Sequence, residues 1–174
     1  MTEKEFLNAV AHGRTDLIQL LLEILDETGA AYCVIGGLAV NAYAEPVVSL
    51  DLDVVVATDL VDEVARGAAA RGLMVETHPH SVNLKSPDSD LRIQLQIDPR
   101  YQEFIPRSER RRVLGYELAV ATVEDVLQGK LWAYQDERRR PSKRQKDLAD
   151  IARLIEARPE LGTQLPEPVR ARIA

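Results

Sequence analysis

The sequence predicts an α/β (α+β) chain: a small mixed sheet flanked by helices, followed by a helical C-terminal part. Three observations carry that reading. Two apolar runs with strand character, Tyr32 to Ile35 and Ser49 to Val56, are separated by Gly36-Gly37 and a short helix-like segment. Leu91 to Asp98 alternates apolar and polar residues, which puts Leu91, Ile93, Leu95 and Ile97 on one face of a strand and Arg92, Gln94, Gln96 and Asp98 on the other. Segments with helical spacing and start signals lie before and after these runs.

In order, Thr2 to Ala11 reads as a short helix with Phe6, Leu7 and Val10 on one side. Thr15 is the expected N-cap of the next, whose Leu17, Leu21, Ile24 and Leu25 recur at helical spacing until Gly29. The first strand, the glycine pair, a helix over Leu38 to Ala44 stopped by Pro46, and the second strand follow. Thr58 opens a helix over Asp59 to Ala70, closed by Arg71-Gly72, and Leu73 to Glu76 is a further strand. His78-Pro79-His80 makes a turn; two histidines so spaced can bind a metal, but no Cys, Asp or Glu completes a zinc-like set. Pro106 to Arg112 is a basic helical turn leading into a strand over Val113 to Val120. Thr122, with Asp125 three residues on, caps a helix carrying Val126, Leu127, Leu131 and Lys130. Arg138 to Pro141 breaks it, and Ser142 to Glu156 forms a final long helix with a Leu148, Ile151, Ile155 stripe toward the core. The Pro-rich remainder makes short pieces.

At 174 residues with 45% hydrophobic content, the chain holds one core, divided here into residues 1–121 and a helical part, 122–174, packed on it. The formal net charge of −6 argues against a general nucleic-acid coat. Arg107 to Arg112 and Arg138 to Lys146 concentrate basic charge; each reads as solvated surface or as a footprint for RNA or a phosphate-rich ligand. No apolar run approaches the roughly 20 residues of a membrane helix, and one cysteine, Cys33, forms no internal disulfide. With no charged-then-apolar leader in view, a cytoplasmic location is expected.

The chemistry concentrates between Val34 and Val56. Alternate residues of a strand share a face, so Asp51 and Asp53 point the same way with Cα atoms roughly 7 Å apart. Neighbouring carboxylates repel unless a cation neutralises them. Mg²⁺ takes oxygen ligands, typically one or two carboxylates plus substrate phosphates. Glycines at a strand end let backbone N–H groups approach a phosphate. A phosphate cradle beside a metal-binding Asp-x-Asp pair is the chemistry of nucleotide transfer. The plain alternative is two acids on a solvated strand face, although Val54-Val55-Val56 argues for a central strand. Lys146 with Asp150 and Lys143 with Asp147 also read as ordinary i,i+4 pairs on one helix.

Gly36-Gly37, a short helix, then Asp51-x-Asp53 resembles the polymerase-beta-like nucleotidyltransferase superfamily. Lys130, followed by Lys146-Asp147-Leu148-Ala149-Asp150, resembles its AbiEii-type and aminoglycoside-modifying members. The resemblance implies a Mg²⁺-dependent (or Mn²⁺-dependent) transfer of a nucleoside monophosphate from an NTP to a hydroxyl of RNA, protein or a small molecule. It implies a toxin role with a separate antitoxin partner. Gly36, Gly37 and Ser49 would hold the nucleotide, Asp51 and Asp53 the metal, Lys130 a phosphate, and Asp147 would lie near the acceptor or metal. Val47 and Ser49 stand where many members have Arg and Thr. The strand expected to carry a third carboxylate offers Gln94 and Gln96, with an acid only at Asp98, which reads equally as a turn former before Pro99. Those glutamines favour the other expectation, a nucleotidyltransferase-like binding or scaffold protein without turnover.

Overall fold

The computed structural model describes residues 1–173 and forms a seven-stranded mixed sheet with helices against its faces. Helices α1 (Glu3–Val10) and α2 (Leu17–Thr28) precede the sheet. Asp16, rather than Thr15, caps α2: its carboxylate accepts from Gln19 N, and Gly29 closes the helix with φ +67°. Then come β1 (Tyr32–Ile35), α3 (Gly36–Val40), β2 (Asp51–Val56), α4 (Val61–Ala70), β3 (Met74–His78), β4 (Ser81–Ser86) and β5 (Ser89–Gln96). Short helices α5 (Pro99–Gln102) and α6 (Phe104–Arg107) lead to β6 (Glu109–Val113) and β7 (Tyr116–Val120). Helices α7 (Val123–Gln135) and α8 (Pro141–Ala157), a 3-10 segment (Pro159–Gln164) and α9 (Glu167–Ile173) complete the chain. The first residues of α3 are the glycines themselves, earlier than the predicted Leu38 start. Thr58 makes no cap on α4, whose N-cap is Leu60.

The strand order is β3-β4-β5-β2-β1-β7-β6. The central pair β1–β2 is antiparallel, while β2–β5 and β1–β7 are parallel. Both strands of the central pair are therefore hydrogen-bonded on both sides, which is why Val54, Val55 and Val56 are buried at 0–1% exposure. The alternation of β5 holds as read: Leu91, Ile93 and Leu95 are buried and Arg92 is exposed. Each such side chain contributes roughly 1.5–3 kcal/mol by leaving water.

Two expectations fail at the sheet margins. Of the basic helical turn predicted over Pro106 to Arg112, only Pro106 and Arg107 are helical, closing α6; from Glu109 the segment is a β6–β7 hairpin, turned at Leu114 (φ +47°) and Gly115 (φ +82°). Strand β4, Ser-Val-Asn-Leu-Lys-Ser, was not expected, yet Ser81 to Lys85 pair with both β3 and β5. On α8 the buried positions are Asp147, Asp150, Ile151 and Leu154; Leu148 and Ile155 are only partly covered. Two acids thus face inward where an apolar stripe was expected, because cations from elsewhere in the chain meet them.

Candidate active site

Strand register builds the floor of the site. Asp51 lies opposite Arg92, which lies opposite Lys85; Asp53 lies opposite Gln94, which lies opposite Asn83. Cross-strand partners share a face, so two polar rungs run across β2, β5 and β4 on one side of the sheet. All six residues line a cavity of about 300 Å³. Gly36, Gly37 and Ser49 line it from the β1–α3 turn and the entry to β2, and Lys130, Arg139, Lys143, Lys146 and Asp147 from the helical side. The predicted glycines, Ser49, Asp51, Asp53, Lys130 and Asp147 are therefore brought to one place.

Gly36 adopts φ +73°, and a Cβ there would overlap Asp53 Oδ2 and come within 3.1 Å of its Cβ and Cγ. Only glycine permits both the turn and this approach. At Gly37 a Cβ would sit in ordinary contact, 3.6 Å from Asp150 Oδ2 and 3.8 Å from Ser49 Oγ. Ser49 Oγ accepts from Asp51 N at 3.3 Å, fixing the strand entry.

The two β2 acids have opposite surroundings. Asp53 is half-buried, lines the cavity and makes no ion pair among the described residues. Burial pushes its carboxyl above the usual range, Lys130 only partly offsets this, and Asp51 adds to it. Asp51 is doubly paired: Arg92 Nε lies 2.8 Å from Oδ1 and Lys143 Nζ 3.2 Å from Oδ2. Burial raises the Asp51 carboxyl too, but the Lys143 charge and hydrogen bond, with Arg92, outweigh it and hold it below the usual range.

Behind them runs a buried charge network. Lys130 Nζ contacts Asp147 Oδ1 at 3.1 Å and Asp150 Oδ2 at 2.8 Å. Asp147 also accepts from Arg139 Nε at 2.6 Å, and Asp150 from Arg153 Nη1 at 2.9 Å. Arg153 in turn donates to Asn41 Oδ1 and to Glu45 O, and Asn41 brackets Val47 by both its backbone groups. The network ties α7, α8 and the loop before β2 together. Burial lowers the Lys130 ammonium pKa, but the charges of Asp150 and Asp147 more than compensate and raise it. The expected i,i+4 pairs of α8 do not form: Asp147 and Asp150 turn to Lys130, Arg139 and Arg153, while Lys143 turns to Asp51.

Asp98 stands apart. It caps α5, accepting from Arg100 N at 2.9 Å and pairing with the Arg100 guanidinium, and it is not among the cavity residues. No group of three or more His, Cys, Asp or Glu among the described residues is arranged to hold a metal ion, His78 and His80 included. Sequence reasoning missed Arg92 and Arg139. Arg92 was signalled by its place on the polar face of β5 beside Gln94; Arg139, inside an arginine run, carried no signal of its own. Tyr101 was also missed; it lines the cavity, and burial pushes its phenol up to about 12.

The fold has relatives among solved structures. The antibiotic-resistance factor ANT(2'')-Ia superposes with a TM-score of 0.64 at 18% identity, covering 90% of this chain and 88% of that one. The lincosamide antibiotic adenylyltransferase LnuA, in its lincomycin-bound form, gives 0.56 at 11% identity over 82% of this chain and 98% of that one. An antigenic nucleotidyltransferase-like protein from Paracoccidioides brasiliensis gives 0.52 at 19% identity over 95% and 84%. No curated protein matches the chain in sequence. No helix among the described residues is long and apolar enough to cross a membrane. The family described as "Nucleotidyl transferase AbiEii toxin, Type IV TA system" matches residues 20–173, nearly the whole length. The chain belongs to this AbiEii nucleotidyl transferase family.

Proposed function

We propose that the chain transfers a nucleoside monophosphate from an NTP to an acceptor hydroxyl, using a divalent cation, Mg²⁺ or Mn²⁺, held by Asp51 and Asp53. The observation that carries this reading is Asp53: a half-buried carboxylate without an ion pair among the described residues, against Gly36, beside a second acid on the same strand face. An unpaired charge partly withdrawn from water is destabilising, and a hard cation is the natural partner for two carboxylate groups and the Gln94 amide oxygen. Such an ion supplies charge neutralisation at the triphosphate and polarises the phosphoryl oxygens.

The residues of the chain then divide the remaining work. Gly36, Gly37 and Ser49 border the place for the triphosphate, and Lys146, which has no ion pair among the described residues, faces it with a free positive charge. Lys130 acts through position: with two acids on its ammonium, it sets Asp147 and Asp150 rather than serving as a free phosphate ligand. In-line attack of the acceptor hydroxyl on the α-phosphate expels pyrophosphate, a reaction driven mainly by positioning and charge neutralisation.

Among acceptors, charge favours a polyanion. Six cationic side chains line the cavity against three acids, in a chain whose formal net charge is −6. The ANT(2'')-Ia complex with adenylyl-2''-tobramycin involves a polycationic acceptor, which this lining would repel. An RNA end is the better fit, in a toxin whose antitoxin is a separate protein. A second reading, binding without turnover, rests on Gln94 occupying the position opposite Asp53 where a third acid would complete the site. The test is label transfer from α-labelled NTPs to total RNA, with Mg²⁺ or Mn²⁺, beside Asp51→Asn and Asp53→Asn. Transfer lost in both variants supports the enzyme; NTP binding with no transfer under any metal supports the second reading.

A further inference from the structure

Both oxygens of Asp51 are already engaged, one by Arg92 at 2.8 Å and the other by Lys143 at 3.2 Å. A cation shared between Asp51 and Asp53 would use one of those oxygens and compete with the positive charge already on it, so one of the two side chains is the one to give way. Lys143 is the one placed to do so. It sits in the first turn of α8, its side chain is one-third exposed, and its charge is a point on a flexible stem. Arg92 has the more exposed side chain, at 59%, but it makes the shorter contact, and its direct register with Asp51 on the neighbouring strand keeps its guanidinium beside the carboxylate. One helical turn beyond Lys143 is Lys146, unpaired and lining the same cavity as Gly36 and Gly37.

We propose that Lys143 is an exchangeable counter-ion: it neutralises Asp51 until a nucleoside triphosphate draws it, with Lys146, onto phosphate oxygens, freeing the carboxylate for the divalent cation. This rests on the reading of Asp51 and Asp53 as metal ligands and adds how metal and nucleotide are coupled. Each would bind weakly alone and strongly together, and by linkage the coupling is reciprocal. Lys143 is a positioning residue with two successive partners, not a fixed phosphate contact.

The two roles predict opposite signs for one substitution. Mn²⁺ binding to the full chain without nucleotide is read by electron paramagnetic resonance. Binding of a non-transferable α,β-methylene NTP without metal is read by calorimetry. Lys143→Met should bind Mn²⁺ alone about three- to fivefold more tightly, the competitor having gone, and the analogue about tenfold more weakly. Lys146→Met calibrates the general field, since its charge also acts on Asp51. It should weaken the analogue comparably while changing Mn²⁺ binding clearly less than Lys143→Met does. Lys143→Gln, which keeps a hydrogen-bonding group without charge, should reproduce the Lys143→Met pattern and guards against a packing artefact. If Lys143→Met leaves Mn²⁺ binding no tighter than Lys146→Met does, while wild type binds Mn²⁺ and Asp51→Asn does not, the exchange is overturned and the metal site stands. If Mn²⁺ binds equally to wild type, Asp51→Asn and Asp53→Asn, the metal site itself fails and the exchange with it.

Discussion

The two adjacent glycines should respond very differently to a single methyl group. Gly36 has φ +73°, a conformation that costs an alanine about 1–2 kcal/mol. Its new Cβ would also collide with the Asp53 carboxylate, 3.1 Å from Cγ and closer to Oδ2. Overpacking of this kind adds about 1–3 kcal/mol. Gly36→Ala should therefore destabilise by about 3 kcal/mol, roughly 6–12 °C in Tm for a chain of this size. It should also displace Asp53 and abolish Mn²⁺ binding and label transfer. Gly37→Ala meets only ordinary contacts at 3.6 and 3.8 Å and gains helix propensity within α3, so its Tm should stay within a few degrees of wild type. Thermal unfolding followed by circular dichroism, with Mn²⁺ titration of each variant, decides the matter. Equal melting points for wild type and Gly36→Ala, or a greater loss at Gly37→Ala, would refute the account of why this bend is glycine.

The two β2 acids should shift stability with opposite signs. Asp53 has a raised carboxyl pKa in the fold, so the folded state binds more protons than the unfolded one and metal-free stability falls as pH rises from about 4 through the folded value. Asp53→Asn should remove that fall and raise the neutral-pH midpoint in urea. Asp51 has a lowered pKa, so its contribution is present above the ordinary carboxylate range and is lost as pH drops through the folded value. Asp51→Asn should cost up to about 1 kcal/mol at neutral pH, a loss that shrinks in acid. Lys130→Met strands Asp147 and Asp150, each below 5% exposed, and should cost about 3–5 kcal/mol in urea unfolding. Its loss of activity should therefore track loss of folded protein. Thr122→Ala removes the oxygen that accepts from Asp125 N and should cost about 1 kcal/mol, with Mn²⁺ binding retained.

Local pattern reveals much of this architecture. The β1 run, the glycine bend, the acids of β2, the alternation of β5 and the Thr122 cap each depend on neighbours a few residues away. What escaped depends on distant partners. Strand β4 does alternate, with Val82 and Leu84 buried between Ser, Asn and Lys, but two apolar residues are too short a run to stand out until β3 and β5 pair with it. The β6–β7 turn places a leucine at positive φ, so Leu114 gave no turn signal. Asp147 and Asp150 occupy core positions of α8 only because Lys130, Arg139 and Arg153 meet them, and charge pairing across elements leaves no mark on helical periodicity. The glycines and β2 acids were legible because each is a short-range device. The Asp51 clamp was not, because Arg92 and Lys143 come from separate parts of the chain.

The strand holding the two acids lies in the interior of the sheet, between β5 and β1, whereas β3 and β6 form its margins. Freeing the amides of Leu52 to Val55 for deuterium uptake requires breaking a ladder on at least one flank, so they should exchange only through the largest opening events. Met74 to His78 is exposed at every position and opens at little expense. The outer strands can therefore breathe, or accept altered sequence, while the carboxylates keep their spacing: the periphery is free to diversify around a centre that moves last.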